Sequence, residues 1–171
     1  MSDSKLLQEL ADRQAVTDLI YRYCRAVDRI DAELGYSVWH ADGLADYGEK
    51  IFQGTGRGFI DYVCEAHRNL LGHSHQVTTV IIDLDGDRAS SEAYYFASMR
   101  MQAGGQLKQL YVWGRYLDQW SRRNGRWGID KRVALIDFDE IGDVTLFSAT
   151  QLRRDPSDPS YAVLQHYPRR A

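Results

Sequence analysis

Apolar residues early in the chain recur at steps of three and four. Leu6, Leu7, Leu10, Val16, Leu19, Ile20, Tyr23 and Val27 trace one helical face, while Asp12, Arg13, Asp18, Arg22, Arg25 and Arg29 fill much of the other. This spacing predicts a long first helix. A short second helix is expected from about Asp31 to Trp39, then an extended stretch over Gly43–Phe52. Gly54-Thr55-Gly56 interrupts it before a third helix with Phe59, Ile60, Val63, Ala66 and Leu70, and Gly72 is its expected stop. The period then changes. His75–Leu84 is rich in β-branched residues and halts at Asp85-Gly86-Asp87, a hairpin signal. Further strands are expected over Arg88–Gln102, Leu107–Trp120 and Arg126–Phe138, separated by Gly104-Gly105 and Asn124-Gly125.

Helices followed by a meander of long antiparallel strands is an α+β pattern. Strands this long in one small domain need bulges and curvature. Helices against the concave side would leave a cone-shaped cavity between the layers. Residues 1–140 are assigned to that domain. Residues 141–171, which hold all three prolines, are expected to form a tail or lid laid over the sheet.

Composition narrows the class without changing the fold. The 171 residues, 44% hydrophobic and 26% charged, suit one globular domain. A net charge of −3 argues against a dedicated nucleic-acid binder. No apolar run reaches membrane length, the first residues lack a signal-peptide core, and two cysteines make no disulfide framework. A cytoplasmic protein is therefore expected. Aromatic residues reach 12%, with 11 tyrosines, which fits a pocket or a well-packed sheet equally.

Several residues could carry chemistry. Asp28, near the apolar face at the end of the first helix, is either a buried functional carboxylate or a cap for the turning chain. His73 and His75 share one strand face by period two. As metal ligands they lack a third partner at recognisable spacing. Beside a carboxylate, a neutral imidazole is a general base; otherwise each is a strand-end histidine bonded to backbone. Arg132, on the last strand, points either inward, as an anion or leaving-group site, or outward, into interface salt bridges. Tyr47, Tyr94, Tyr95 and Tyr116 read first as core aromatics. Cys24 and Cys64 have no nucleophile signature. Gly54-Thr55-Gly56-Arg57-Gly58 lacks the ending of a phosphate loop and reads as a turn.

The order Tyr23-x₄-Asp28, Trp39-His40, Asp46-Tyr47-Gly48, His75, Gly114-Arg115-Tyr116-Leu117-Asp118 and Lys131-Arg132 resembles the SnoaL-like branch of the nuclear transport factor 2-like superfamily. Within that branch it is most similar to the dehydratase and dehydrochlorinase group. The resemblance covers about residues 5–140 and implies an α+β cone of about three helices on a curved sheet. It also implies a catalytic Asp28–His75 dyad. Around it would stand Tyr23, Tyr47, His73, Tyr95, Tyr116 and Arg132, with Ser98 as the candidate for a polar pocket residue. The implied activity is a lyase reaction, a β-elimination on a hydrophobic cyclic or aromatic small molecule, needing no metal or organic cofactor. The superfamily also holds isomerases, cyclases and non-catalytic subunits of ring-hydroxylating oxygenases, so fold alone does not choose among them. A homo-oligomer is implied, a trimer ahead of a dimer, with neither nucleic acid nor membrane as partner.

Overall fold

The computed structural model describes residues 3–144, 151–164 and 167. Three helices lead: α1 (Asp3–Arg29), α2 (Ala32–Tyr36) and α3 (Gly56–Arg68). The strands are β1 (Trp39–Asp46), β2 (Gln53–Thr55), β3 (Gly72–Asp85), β4 (Arg88–Ala103), β5 (Gln106–Arg123) and β6 (Arg126–Asp143). They form one six-stranded sheet in the order β2-β1-β6-β5-β4-β3. Every pairing is antiparallel except β1 with β6. This is the expected α+β fold, a curved, open sheet with helices on one face.

The curvature has identifiable sources. Register shifts between Val77 and Val80, between Trp113 and Gly114, and between Gln119 and Trp120 each insert a residue into the ladder. The inserted Asp137 takes the guanidinium fork of Arg115, and the inserted Asp130 takes Arg123 and the Ser121 hydroxyl. The two β6 bulges thus each supply the acid for an arginine on β5. Bulges bend a strand and raise its twist, so the long hairpins wrap around α1.

Cross-strand partners share a face, and the inner face is apolar. It carries Ala93, Tyr95 and Ala97 on β4, Val112, Tyr116 and Trp120 on β5, and Ile129 on β6, all buried. Against it α1 buries Val16, Leu19, Ile20, Tyr23, Cys24 and Val27, and α3 adds Phe59, Ile60 and Val63. The apolar stripe of α1 is shorter than its sequence suggests, because Leu6, Leu7 and Leu10 are exposed. α3 stops at Asn69 rather than at Gly72, which opens β3.

Gly114 shows how tightly the inner face is built. A Cβ there would lie 2.1 Å from the Leu135 carbonyl oxygen and 2.6 Å from the Tyr95 ring. That ring crosses over the glycine so that its hydroxyl donates to Leu135 O at 3.2 Å.

The described part of the tail touches both layers: Leu152 lies against β3 at Gly72 and lines a cleft there with Ser98 and Gln109, and the rest meets the helices. Arg154 donates to the carbonyls of His67 and Leu70 at the end of α3, at 2.7 and 2.8 Å. α4 (Ser160–Val163) seats against the end of α1 through Arg25 to Ser160 Oγ, Arg29 with Asp158, and Tyr161 to Asp31. No helix among the described residues is long and apolar enough to cross a membrane.

Gly114→Ala should displace the Tyr95 ring and cost about 1–3 kcal/mol of stability, the range for overpacking a filled core. Urea unfolding with an unchanged slope and a lower midpoint checks this.

Candidate functional site

The end of α1 determines the site. Ile30 adopts φ +52°, with Ile30 N–H donating to Val27 O and Asp31 N–H to Ala26 O, a left-handed helix stop. Asp28 is thereby freed from capping and belongs to the last helical turn. Its Oδ1 meets His75 Nδ1 at 2.8 Å, and its Oδ2 accepts the His75 backbone N–H at 3.0 Å. The two side chains are 14% and 7% exposed. A carboxylate only accepts, so the imidazole donates from Nδ1, and in the neutral ring Nε2 is the acceptor. Among the described residues nothing hydrogen-bonds that Nε2. An open cleft of about 280 Å³ runs beside the pair, lined by Tyr21, Cys24, Arg25, Asp28, Arg29, His75 and Val77.

His73 does a different job. Its Nε2 donates to Val27 O at 3.0 Å, a second donor on the carbonyl that also takes Ile30 N–H. Its Nδ1 lies 3.5 Å from Arg154 Nη1. Burial lowers its pKa and the bond to Val27 works against that shift. A third imidazole completes the group. His67 on α3 lies 4.2 Å from the His73 ring and 5.7 Å from the His75 ring, centre to centre. Burial, reinforced by the other two histidines, pushes the His67 pKa down to about 3, so this ring stays neutral. It follows Val63 by four residues and Ile60 by seven, an inward position that helical spacing could have revealed.

Tyr23, Tyr47, Tyr116 and Arg132 form a second polar centre. Of the two orientations open to Arg132, the structure shows the inward one. It is fully buried, and Asp118 accepts from its Nε and Nη2, both at 2.7 Å. The Tyr23 and Tyr116 rings lie 4.2 and 4.1 Å from its guanidinium carbon. Burial alone would favour losing the proton, but the Asp118 charge overrides it and holds Arg132 cationic. Its Nη1 is buried with no hydrogen-bond partner. The Tyr23 and Tyr47 hydroxyls share a 2.9 Å hydrogen bond, and Tyr47 stacks on Phe59 at 3.7 Å. Tyr95 stacks on Tyr116 at 4.2 Å. Burial raises the pKa of all four phenols, keeping them as hydroxyls. Asp118 escaped the sequence reading, although it alternates with Tyr116 and Trp120 on one face.

The rings of Tyr23, Tyr95 and Tyr116 thus pack together in the interior between α1 and the sheet. The cleft at the dyad opens beside α1. Ser98 does not join either centre. It pairs with Ser74 while His75 pairs with Ala97, which puts it on the opposite sheet face, beside a separate cleft of about 210 Å³. Burial pushes the Cys24 thiol up to about 12 and that of Cys64 to about 11, so neither is a ready thiolate. Among the described residues no three His, Cys, Asp or Glu side chains are placed to hold a metal ion.

A family model described as a SnoaL-like domain matches residues 8–133. The chain belongs to the SnoaL-like family. Its fold is that of solved SnoaL-like relatives. A type 2 hexachlorocyclohexane dehydrochlorinase superposes with a TM-score of 0.75 at 18% identity, covering 85% of this chain and 99% of that one. The type 3 enzyme from Novosphingobium barchaimii gives 0.74 at 18%, covering 84% and 99%. A candidate scytalone dehydratase from Novosphingobium aromaticivorans gives 0.64 at 20%, covering 82% and 93%. No curated protein matches the chain by sequence.

A histidine kept neutral by folding gives stability a pH dependence of definite sign. The unfolded chain binds a proton at His67 below its ordinary value near 6.5, whereas the folded chain resists until about pH 3. Stability should thus be complete above pH 6.5 and fall between 6.5 and 3, by up to about 1.4 kcal/mol per pH unit for that proton. Denaturant melts across this range should show a shallower acid slope in His67→Gln than in the wild type.

Proposed function

We propose that this SnoaL-like protein is a cofactor-independent lyase that performs β-elimination on a cyclic or aromatic small molecule. The observation that carries the reading is the buried Asp28–His75 pair, whose residues both line a cleft beside α1. His75 Nε2 takes the carbon-bound proton, the C–H electrons form the new double bond, and the leaving group departs with its bonding pair. Asp28 holds the ring in the tautomer that can accept this proton and stabilises the imidazolium that forms. For a hydroxyl leaving group the imidazolium returns its proton to the departing oxygen, and water leaves. For a halide it passes the proton to solvent. The enzymes of like fold include hexachlorocyclohexane dehydrochlorinases, which makes a halide a reasonable first leaving group to assay.

Arg132 Nη1, with the Tyr23 and Tyr47 hydroxyls near it, is the group suited to the departing anion or to a developing enolate oxygen. Reaching it requires the tyrosine rings to part. An isomerase or cyclase would use the same base and return the proton to another carbon. A second reading rests on the packed interior. Tyr23, Tyr116 and Arg132 are at most 2% exposed, as in a protein that binds or assembles without turnover.

Chloride release from hexachlorocyclohexane and water loss from cyclic β-hydroxyketones, followed with solvent-proton exchange at the acidic carbon, test the elimination. His75→Ala should abolish exchange and turnover with the fold intact. Asp28→Asn should lose ~10²–10⁴-fold in rate. Undiminished activity in Asp28→Asn, or exchange surviving in His75→Ala, would return the protein to the binding reading.

The outer sheet face suggests self-association. Phe96, Tyr111, Trp113 and Phe138 form a continuous aromatic cluster there, with Phe138 60% exposed. We assign it to a homo-oligomer, a trimer ahead of a dimer. Light scattering should show an oligomer for the wild type and a shift toward monomer for Phe138→Glu.

A further inference from the structure

The cleft at the dyad is not purely apolar. Arg25 and Arg29 stand one helical turn apart on α1, on either side of Asp28, and both line it with His75. Four residues along a helix advance about 6 Å, so both guanidinium heads can serve one end of the cleft. The acid between them is already spent, since both Asp28 oxygens are engaged by His75.

The two arginines are only partly used. Arg25 makes one hydrogen bond, from Nη2 to Ser160 Oγ at 3.1 Å, and its Nε is buried with no acceptor. Arg29 faces Asp158 at 3.4 Å through Nε, without hydrogen-bond geometry, and is 24% exposed. Tyr21 and Cys24 on α1 and Val77 on β3 supply the rest of its lining. Arg25 also lies over the Tyr161 ring at 5.0 Å and the Tyr167 ring at 5.7 Å.

We propose that the ligand of this cleft is an organic carboxylate, its acid group taken by Arg25 and Arg29 and its cyclic body laid along Val77 toward His75 Nε2. The guanidinium fork matches a carboxylate in plane and spacing, and a charge-assisted pair is about twice as strong as a neutral hydrogen bond. The inference deepens the lyase reading and rests on it for the role of His75. It replaces a purely hydrophobic substrate with an amphipathic anion.

The test compares 2-naphthoate with 2-naphthamide, which have the same ring and nearly the same shape but different charge. Binding is followed by the NMR resonances of the His75 ring and by calorimetry on the full chain. In the wild type, naphthoate should bind at least tenfold more tightly than the amide, shift His75, and weaken as salt rises. Arg25→Gln/Arg29→Gln should remove the tenfold preference while leaving the amide's affinity unchanged. Equal affinity for the two probes, no naphthoate binding at millimolar concentration, or a His75 ring unmoved by naphthoate would overturn the proposal. The wild-type comparison needs no variant, so a misfolded double variant does not shelter it. Failure here is distinct from failure of the lyase reading, which turns on proton exchange in the Asp28 and His75 variants.

Discussion

The junction between the last turn of α1 and the first residues of β3 constrains everything around the site. A helix ends with carbonyls that lack donors, and a strand on the edge of a sheet begins with donors that lack acceptors. Here the two meet. Val27 O takes the His73 ring beside Ile30 N–H, while Asp28 takes both the backbone and the ring of His75. The arrangement works only because the chain leaves the helix at Ile30, in a backbone region that β-branched residues avoid. Moving the carboxylate one position along the helix would rotate it by about 100° around the axis. The dyad is thus a consequence of how a helix terminus is satisfied.

A second demand is placed on the core by Arg132. Removing a guanidinium from water costs several kcal/mol, and the Asp118 fork with two tyrosine faces offsets that cost. Pairs of this kind contribute little net stability. Losing Asp118 would leave a buried charge unbalanced, which explains why so much of the inner face is committed to this one side chain. The histidine group at the other end of the site solves the opposite problem. His67 avoids the cost of burial by staying neutral.

How much of this could be read from residues alone follows from which contacts are local. Periodicity located α1, α3 and the four long strands, since each buries one face. Turn residues placed the hairpins, with Gly86, Gly104 and Gly125 all at positive φ. The pairing of Asp28 with His75 was legible only through resemblance, because residues so far apart share no pattern. Ser98 was misplaced by one step of alternation, the smallest register error and enough to send a side chain to the other face. Leu6, Leu7 and Leu10 continue the helical stripe but find nothing to pack on. Asp118, His67 and Arg154 were missed because a charged or polar residue on an apolar face looks like noise until its partner is known.

The parallel pairing of β1 with β6 has a kinetic consequence. It sets Ala45 opposite Arg132, joining a strand that precedes α3 to the last long strand. Most other contacts in the sheet close between neighbouring hairpins, which form early and cheaply in entropy. Tyr47 sits just past β1, so the phenol pair and the arginine meet only after this long loop has closed. The second polar centre is therefore expected among the last parts of the molecule to assemble during folding, after the junction that carries Asp28 and His75.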